Sequence, residues 1–141
     1  MSLPRQLAEI VEVFRGAPKE FRIEALLDFS RRLPPLPAEF ADHPDRLEQV
    51  HECQTPFFLA SALEDGKVRL FFDAPAESPT VRGYAGILQA GLDGEAPEGI
   101  LAVDDDFYLG MGLEEVVTPQ RLRGMGAILA RLKRQVSELA A

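Results

Sequence analysis

The sequence predicts an α+β fold: two N-terminal helices, a small three-stranded antiparallel sheet, and further helices ending in a long C-terminal one. Three observations predict it. Apolar residues step by three and four at both ends of the chain, whereas two strand-like runs in the middle flank the hairpin dipeptide Asp65-Gly66. Strand–helix–strand alternation is absent, which argues against a doubly wound parallel sheet. At 141 residues and 46% apolar composition the chain has material for one domain, residues 1–141, with a single core.

In the first predicted helix, Leu3, Leu7, Ile10, Val11 and Phe14 share a face, with Ser2 as cap and Gly16 as stop. Pro18 suits the first turn of the second helix, where its missing N–H is not needed. That helix is expected to bury Ile23, Leu26, Leu27 and Phe29 and to stop at Pro34-Pro35. Residues 34–46, "PPLPAEFADHPDR", hold four prolines and no periodicity, so an extended connection is expected. Leu47–Val50 is a short strand candidate. Phe57–Glu64 and Lys67–Asp73 are clearer ones. Closure at Asp65-Gly66 pairs Glu64 with Lys67, Leu63 with Val68, Ser61 with Leu70 and Leu59 with Phe72. The last three pairs form the face to bury.

Ser78 as N-cap and Pro79 as first residue open the next helix, lined by Val81, Tyr84, Ala85 and Leu88. Gly83 and Gly86 inside it cost about 1 kcal/mol each relative to alanine, which points to close approach of a neighbouring element. Residues 93–117 read as irregular, with a helical turn around Pro97–Leu101. Thr118-Pro119 starts the final helix, whose Leu122, Met125, Leu129, Leu132, Val136 and Leu139 form one stripe.

Charge and composition exclude several functions. A formal net charge of -8, with no basic stripe, argues against nucleic acid and anionic membranes as partners. No apolar run approaches the roughly 20 residues of a membrane helix. The opening "MSLPRQLAEIVEVF" lacks the basic-then-apolar pattern of a signal peptide, so a cytoplasmic chain is expected. A zinc site wants four N or S ligands, and only Cys53, His43 and His51 are available, so no metal is expected. Asp104-Asp105-Asp106 lacks the alternating acids, turn glycine and distal glutamate of a calcium loop. Gly110-Met111-Gly112 and Gly124-Met125-Gly126 lack the Lys-Ser/Thr of a phosphate loop.

The one cysteine lies in "VHECQTPFFL", between polar residues at the edge of an apolar run. An internal disulfide is therefore impossible. A thiol–imidazole pair with His43 or His51 is formally available, with His51 projecting to the same side if the segment is extended. A thiol acting alone needs nearby positive charge, which adjacent Glu52 opposes and Arg121 could supply. An inert, partly buried cysteine is the alternative reading.

Three blocks in order, "VHECQTPFFL", "ESPTVRGYAGIL" and "TPQRLRGMGAILARLK", resemble the SufE family of sulfur-acceptor proteins. They resemble its Gly-Cys-Gln-Ser loop, its Asp-x-x-Ile-Val-Lys-Gly helix start and its Thr-Pro-x-Arg opening of the last helix. The resemblance implies a SufE/IscU-like fold, Cys53 as the sulfur acceptor, and supporting or partner-binding roles for Glu52, Gln54, Thr55, Glu77 and Arg121. Glu52 stands where that family usually has glycine, Thr55 where it has serine, Phe58 where it has tryptophan, and Glu77 where it has aspartate.

The resemblance also implies the reaction and the partners. A SufS-like, pyridoxal-phosphate cysteine desulfurase would supply persulfide sulfur, and a SufBCD-like iron–sulfur scaffold would receive it. The cofactor would belong to the desulfurase, and this chain would need none. Clusters are held by several thiolates, so a single cysteine fits a shuttle better than a scaffold. A desulfurase-activating binding module and a thiol redox sensor are the alternatives.

Overall fold

The computed structural model describes residues 3–141, so the Ser2 cap expected from the sequence lies outside the described residues. Helix α1 (Arg5–Arg15) buries Leu7, Val11 and Phe14 and ends at Gly16, whose N–H donates to the Glu12 carbonyl. Helix α2 (Lys19–Arg32) starts one residue after Pro18, which stands at the N-cap rather than in the first turn. Of the apolar residues expected inside, Leu26 is buried, Leu27 and Phe29 are half-buried, and Ile23 is 43% exposed. The covered stripe of α2 is narrow because α2 meets its neighbour backbone to side face.

That neighbour is α4 (Pro79–Leu92). A Cβ on Gly83 would collide with the Leu26 carbonyl oxygen, and one on Gly86 with the Phe29 carbonyl oxygen. The two helix glycines thus permit the close approach that the sequence implied. The apolar pattern assigned α4 one buried side, yet Gly83, Gly86, Ile87 and Leu92 are buried along with Val81, Tyr84, Ala85 and Leu88. A helix covered nearly all round is a central helix. Pro79 is its first residue, but the Ser78 side chain makes no capping hydrogen bond; Ser78 is itself buried.

Residues 34–46 are not simply extended. A short helix, α3 (Ala38–Ala41), and a 3-10 turn (Pro44–Arg46) interrupt them. The reason is an apolar anchor: Phe40 is buried, its ring 4.6 Å from that of Phe71. Pro37 at the N-cap loses nothing by lacking an N–H.

Strands β1 (Glu48–Gln49), β2 (Phe58–Glu64) and β3 (Lys67–Asp73) form one antiparallel sheet in that order. Asp65 and Gly66 both have positive φ, 54° and 78°, as a tight two-residue hairpin requires. The register matches the sequence reading, from Glu64 opposite Lys67 to Leu59 opposite Phe72. Leu63 nonetheless stays 44% exposed near the hairpin tip, although its partner Val68 is buried. Beyond α4, α5 (Pro97–Leu101) occupies the expected helical turn, followed by 3-10 turns at Phe107–Met111 and Leu113–Glu115. Helix α6 (Pro119–Ala140) is capped by Thr118, whose hydroxyl accepts from the Arg121 N–H at 3.3 Å. Its buried stripe, Gly124, Met125, Ile128, Leu129, Leu132 and Val136, packs on the sheet and leads directly to the cysteine.

Candidate functional site

Cys53 sits on a loop hung between two buried anchors. Val50 and Phe57 are both fully buried, and the Val50 N–H donates to the Phe57 carbonyl at 2.8 Å. A second bond, from the Cys53 N–H to the Val50 carbonyl at 3.2 Å, folds the intervening residues into a turn. His51 and Glu52 therefore occupy a turn, not the extended segment that would have put His51 and Cys53 on one side; His51 is exposed.

The half-buried thiol rests on α6. It donates a weak hydrogen bond to the Gly124 carbonyl at 3.9 Å. A Cβ on Gly124 would stand 3.3 Å from Sγ, so the absence of a side chain there lets helix and loop meet. Beside Sγ lies a cavity of about 10 Å³, lined by Gln54, Thr55, Val81, Gln120, Arg121 and Gly124 as well as Cys53. That is room for about one atom of water size. The Thr55 hydroxyl oxygen is buried and has no hydrogen-bond partner among the described residues. Gln54 is exposed.

The thiol is pushed up from its ordinary 9.0 to about 11, by burial first and then by the negative charge of Glu52; Arg131 opposes the rise. Arg131 thus joins Arg121 as a cation near the sulfur. Arg121 borders the cavity, but its guanidinium bonds the Thr80 hydroxyl at 3.3 Å. Glu77 is exposed in the turn before α4 and does not line the cavity. Of the six residues singled out from the sequence, the fold brings Cys53, Gln54, Thr55 and Arg121 around one cavity. Glu52 faces the other way, onto α6.

There Arg131 donates to both Glu52 oxygens, at 2.9 and 3.1 Å, and to a Glu48 oxygen at 2.9 Å. Arg134 bonds both oxygens of Glu48, and the Gln135 amide donates to it at 2.8 Å. Positions 131, 134 and 135 are spaced to share one helix face, here turned to β1. Burial raises the Glu48 pKa, but hydrogen bonds from Gln135, Arg134 and Arg131 outweigh it and hold the carboxyl below its usual range. Glu52 is lowered too, first by its own backbone N–H and then by Arg131. Sequence reasoning missed Arg131 and Gly124. Their seven-residue spacing, two helical turns, was the available signal once either touched the cysteine loop.

Other candidates lie elsewhere. Among the described residues no group of three or more His, Cys, Asp or Glu is placed to hold a metal ion. Asp105 pairs with Lys133 at 3.1 Å on the surface. A wider cavity, about 670 Å³, is an open apolar groove between α1 and α2 lined by Val13, Phe14, Phe21 and Phe29 among others. It shares no residue with the Cys53 cavity. Among the described residues no helix is long and apolar enough to cross a membrane.

Comparison with known proteins agrees with this geometry. The family described as SufE, an Fe-S metabolism associated domain, matches residues 8–136. An uncharacterized SufE-like protein of Mycobacterium tuberculosis is 48% identical over 138 residues, covering 97% of this chain and 95% of that protein. The cysteine desulfuration protein SufE of Plasmodium falciparum is 26% identical over 137 residues, covering 94% of this chain and 54% of that one. The solution structure of a hypothetical protein from Thermus thermophilus aligns with a TM-score of 0.88 at 47% identity, over 99% of this chain and 98% of the other. With a family match over nearly its whole length and a close relative of the same size, the chain belongs to the SufE family.

Proposed function

We propose that the chain, working as one domain, is a sulfur-transfer protein that takes persulfide sulfur onto Cys53. The observation that carries this reading is a lone thiol on a loop, beside a cavity with room for about one atom, in a SufE-family chain. The name of the Plasmodium relative, a cysteine desulfuration protein, supports the same chemistry.

The donor in this reading is a pyridoxal-phosphate cysteine desulfurase that carries sulfur as a persulfide on its own cysteine. The Cys53 thiolate attacks the outer sulfur of that persulfide. A new S–S bond forms at Cys53, the donor's S–S bond breaks, and the donor cysteine leaves as a thiolate that takes up a proton. No external oxidant or reductant is needed, because the sulfane sulfur keeps its oxidation state. An iron–sulfur assembly scaffold is the proposed acceptor. A reducing setting such as the cytoplasm keeps the thiol free between turns.

The surroundings support transport of such cargo. A second cysteine would attack the persulfide and release sulfide, and the chain has none. The small cavity gives the added sulfur a place away from water, where the unpartnered Thr55 hydroxyl and the nearby Arg121 can face it. Gln54 and Glu77, both exposed, are left for contact with the partner. A thiol raised to about 11 is protonated at neutral pH, so attack requires the loop to leave its seat. The same fact weighs against a redox sensor, whose thiol is typically acidic and accessible.

Cys53→Ser tests the reading against that of a desulfurase-activating binding module. A sulfur acceptor loses all sulfur uptake with this change. Undiminished stimulation of a desulfurase by the serine variant would contradict the proposal and favour the activator.

A further inference from the structure

Among the side chains of residues 51–56, strong hydrogen bonding to the rest of the protein is confined to Glu52 among the described residues. The thiol contact with Gly124 is long and weak, and among the described residues no bond is found for the Thr55 hydroxyl. What Glu52 holds is a fixed post. Arg131 is itself braced by Glu48, and Glu48 by Arg134 and Gln135, so the guanidinium has little freedom to follow the loop. One guanidinium nitrogen, Nη2, reaches both Glu52 oxygens while Nη1 is held by Glu48, so a single charge-assisted contact ties the loop to the braced arginine.

We infer that Glu52 and Arg131 are positioning residues: together they form a clasp that keeps the Cys53 loop shut against α6. The inference rests on the reading of Cys53 as a sulfur acceptor, and it names what a donor must do to reach the sulfur. A partner that sets a cationic side chain against Glu52 draws the carboxylate off Arg131 and frees the loop. The same contact keeps the negative charge beside the thiol paired. One exchange of ion-pair partners thus uncovers the nucleophile, and leaving the buried seat favours its ionisation.

Two measurements on the isolated protein test this. One is amide hydrogen exchange at residues 51–55; the other is the rate of Cys53 alkylation by iodoacetamide. An exposed ion pair shifts an opening equilibrium by roughly two- to fivefold, so Arg131→Ala speeds both by about threefold. The direction is diagnostic. Removing a cation from near the thiol slows alkylation if the fold is otherwise unchanged, so a faster rate reports opening. Glu52→Gln gives a similar gain in exchange, and the double variant exchanges no faster than Arg131→Ala alone, because the two residues act as one unit. Arg131→Lys keeps the charge and one contact, and it restores at least half of the lost protection.

Unchanged exchange in Arg131→Ala, slower alkylation, or single effects that multiply in the double variant overturns the clasp. So does a lysine variant no better than alanine, which points to lost structure in α6 instead. Neither readout involves a desulfurase, so the clasp can fail while sulfur acceptance stands, and the reverse.

Discussion

The pH dependence of Cys53 reactivity follows directly from its seat. Burial and the Glu52 charge move the thiol from 9.0 to about 11. Alkylating agents react with the thiolate, and two pH units are about a hundredfold in its population at neutral pH. Water reaching a half-buried sulfur screens part of the effect, so the expected deficit relative to the unfolded chain lies between about tenfold and a hundredfold. Initial rates of iodoacetamide alkylation, followed by intact mass in buffer and in urea across a pH series, measure it. The unfolded chain levels off above 9.0, whereas the folded chain keeps gaining toward about 11. The sign also fixes a stability effect. The fold favours the protonated thiol, so this contribution is present below 9.0 and is lost as pH climbs to about 11. Equal rates folded and unfolded, with one shared midpoint near 9.0, would refute the argument that the loop and α6 shelter the sulfur.

Two substitutions probe the packing that makes this seat. Gly83→Ala adds a Cβ against the Leu26 carbonyl oxygen, and backbone cannot step aside as a side chain can. Although alanine favours the helix by about 1 kcal/mol, overpacking costs about 1–3 kcal/mol, and urea unfolding shows a net loss. An unchanged midpoint would mean that α2 and α4 separate freely. Gly124→Ala puts a Cβ 3.3 Å from Sγ, where the loop must give by a few tenths of an ångström. The thermal midpoint holds or rises, from the same gain of about 1 kcal/mol in helix preference, while alkylation of Cys53 quickens. Slower alkylation in this variant would show that the loop closes down instead of moving out.

Where local chemistry decided the structure, the sequence was readable. Two residues able to take positive φ, Asp65 and Gly66, dictated the hairpin and thereby the register of β2 and β3. Glycines at 83 and 86, unfavourable in a lone helix, revealed the contact with α2. Long-range packing was less visible. The Ala38–Ala41 helix exists because Phe40 finds Phe71, 31 residues further on, which no local pattern records. Ile23 had the right period but lies beyond the stripe that α4 covers. Likewise, Cys53 stood out by being single and by its resemblance to an acceptor loop. The cation paired with its neighbour did not, since Arg131 meets Glu52 across 79 residues of chain. Arg121 was nearer in pattern and does reach the cavity, yet its guanidinium is engaged with Thr80.

Sulfur acceptance itself is read from the intact mass of the protein after incubation with a pyridoxal-phosphate cysteine desulfurase and free cysteine. One added sulfur atom is expected, mapped to Cys53, removed by a thiol reductant, and missing from Cys53→Ser. A mass that stays unchanged while the desulfurase turns over would contradict a sulfur-accepting role for Cys53.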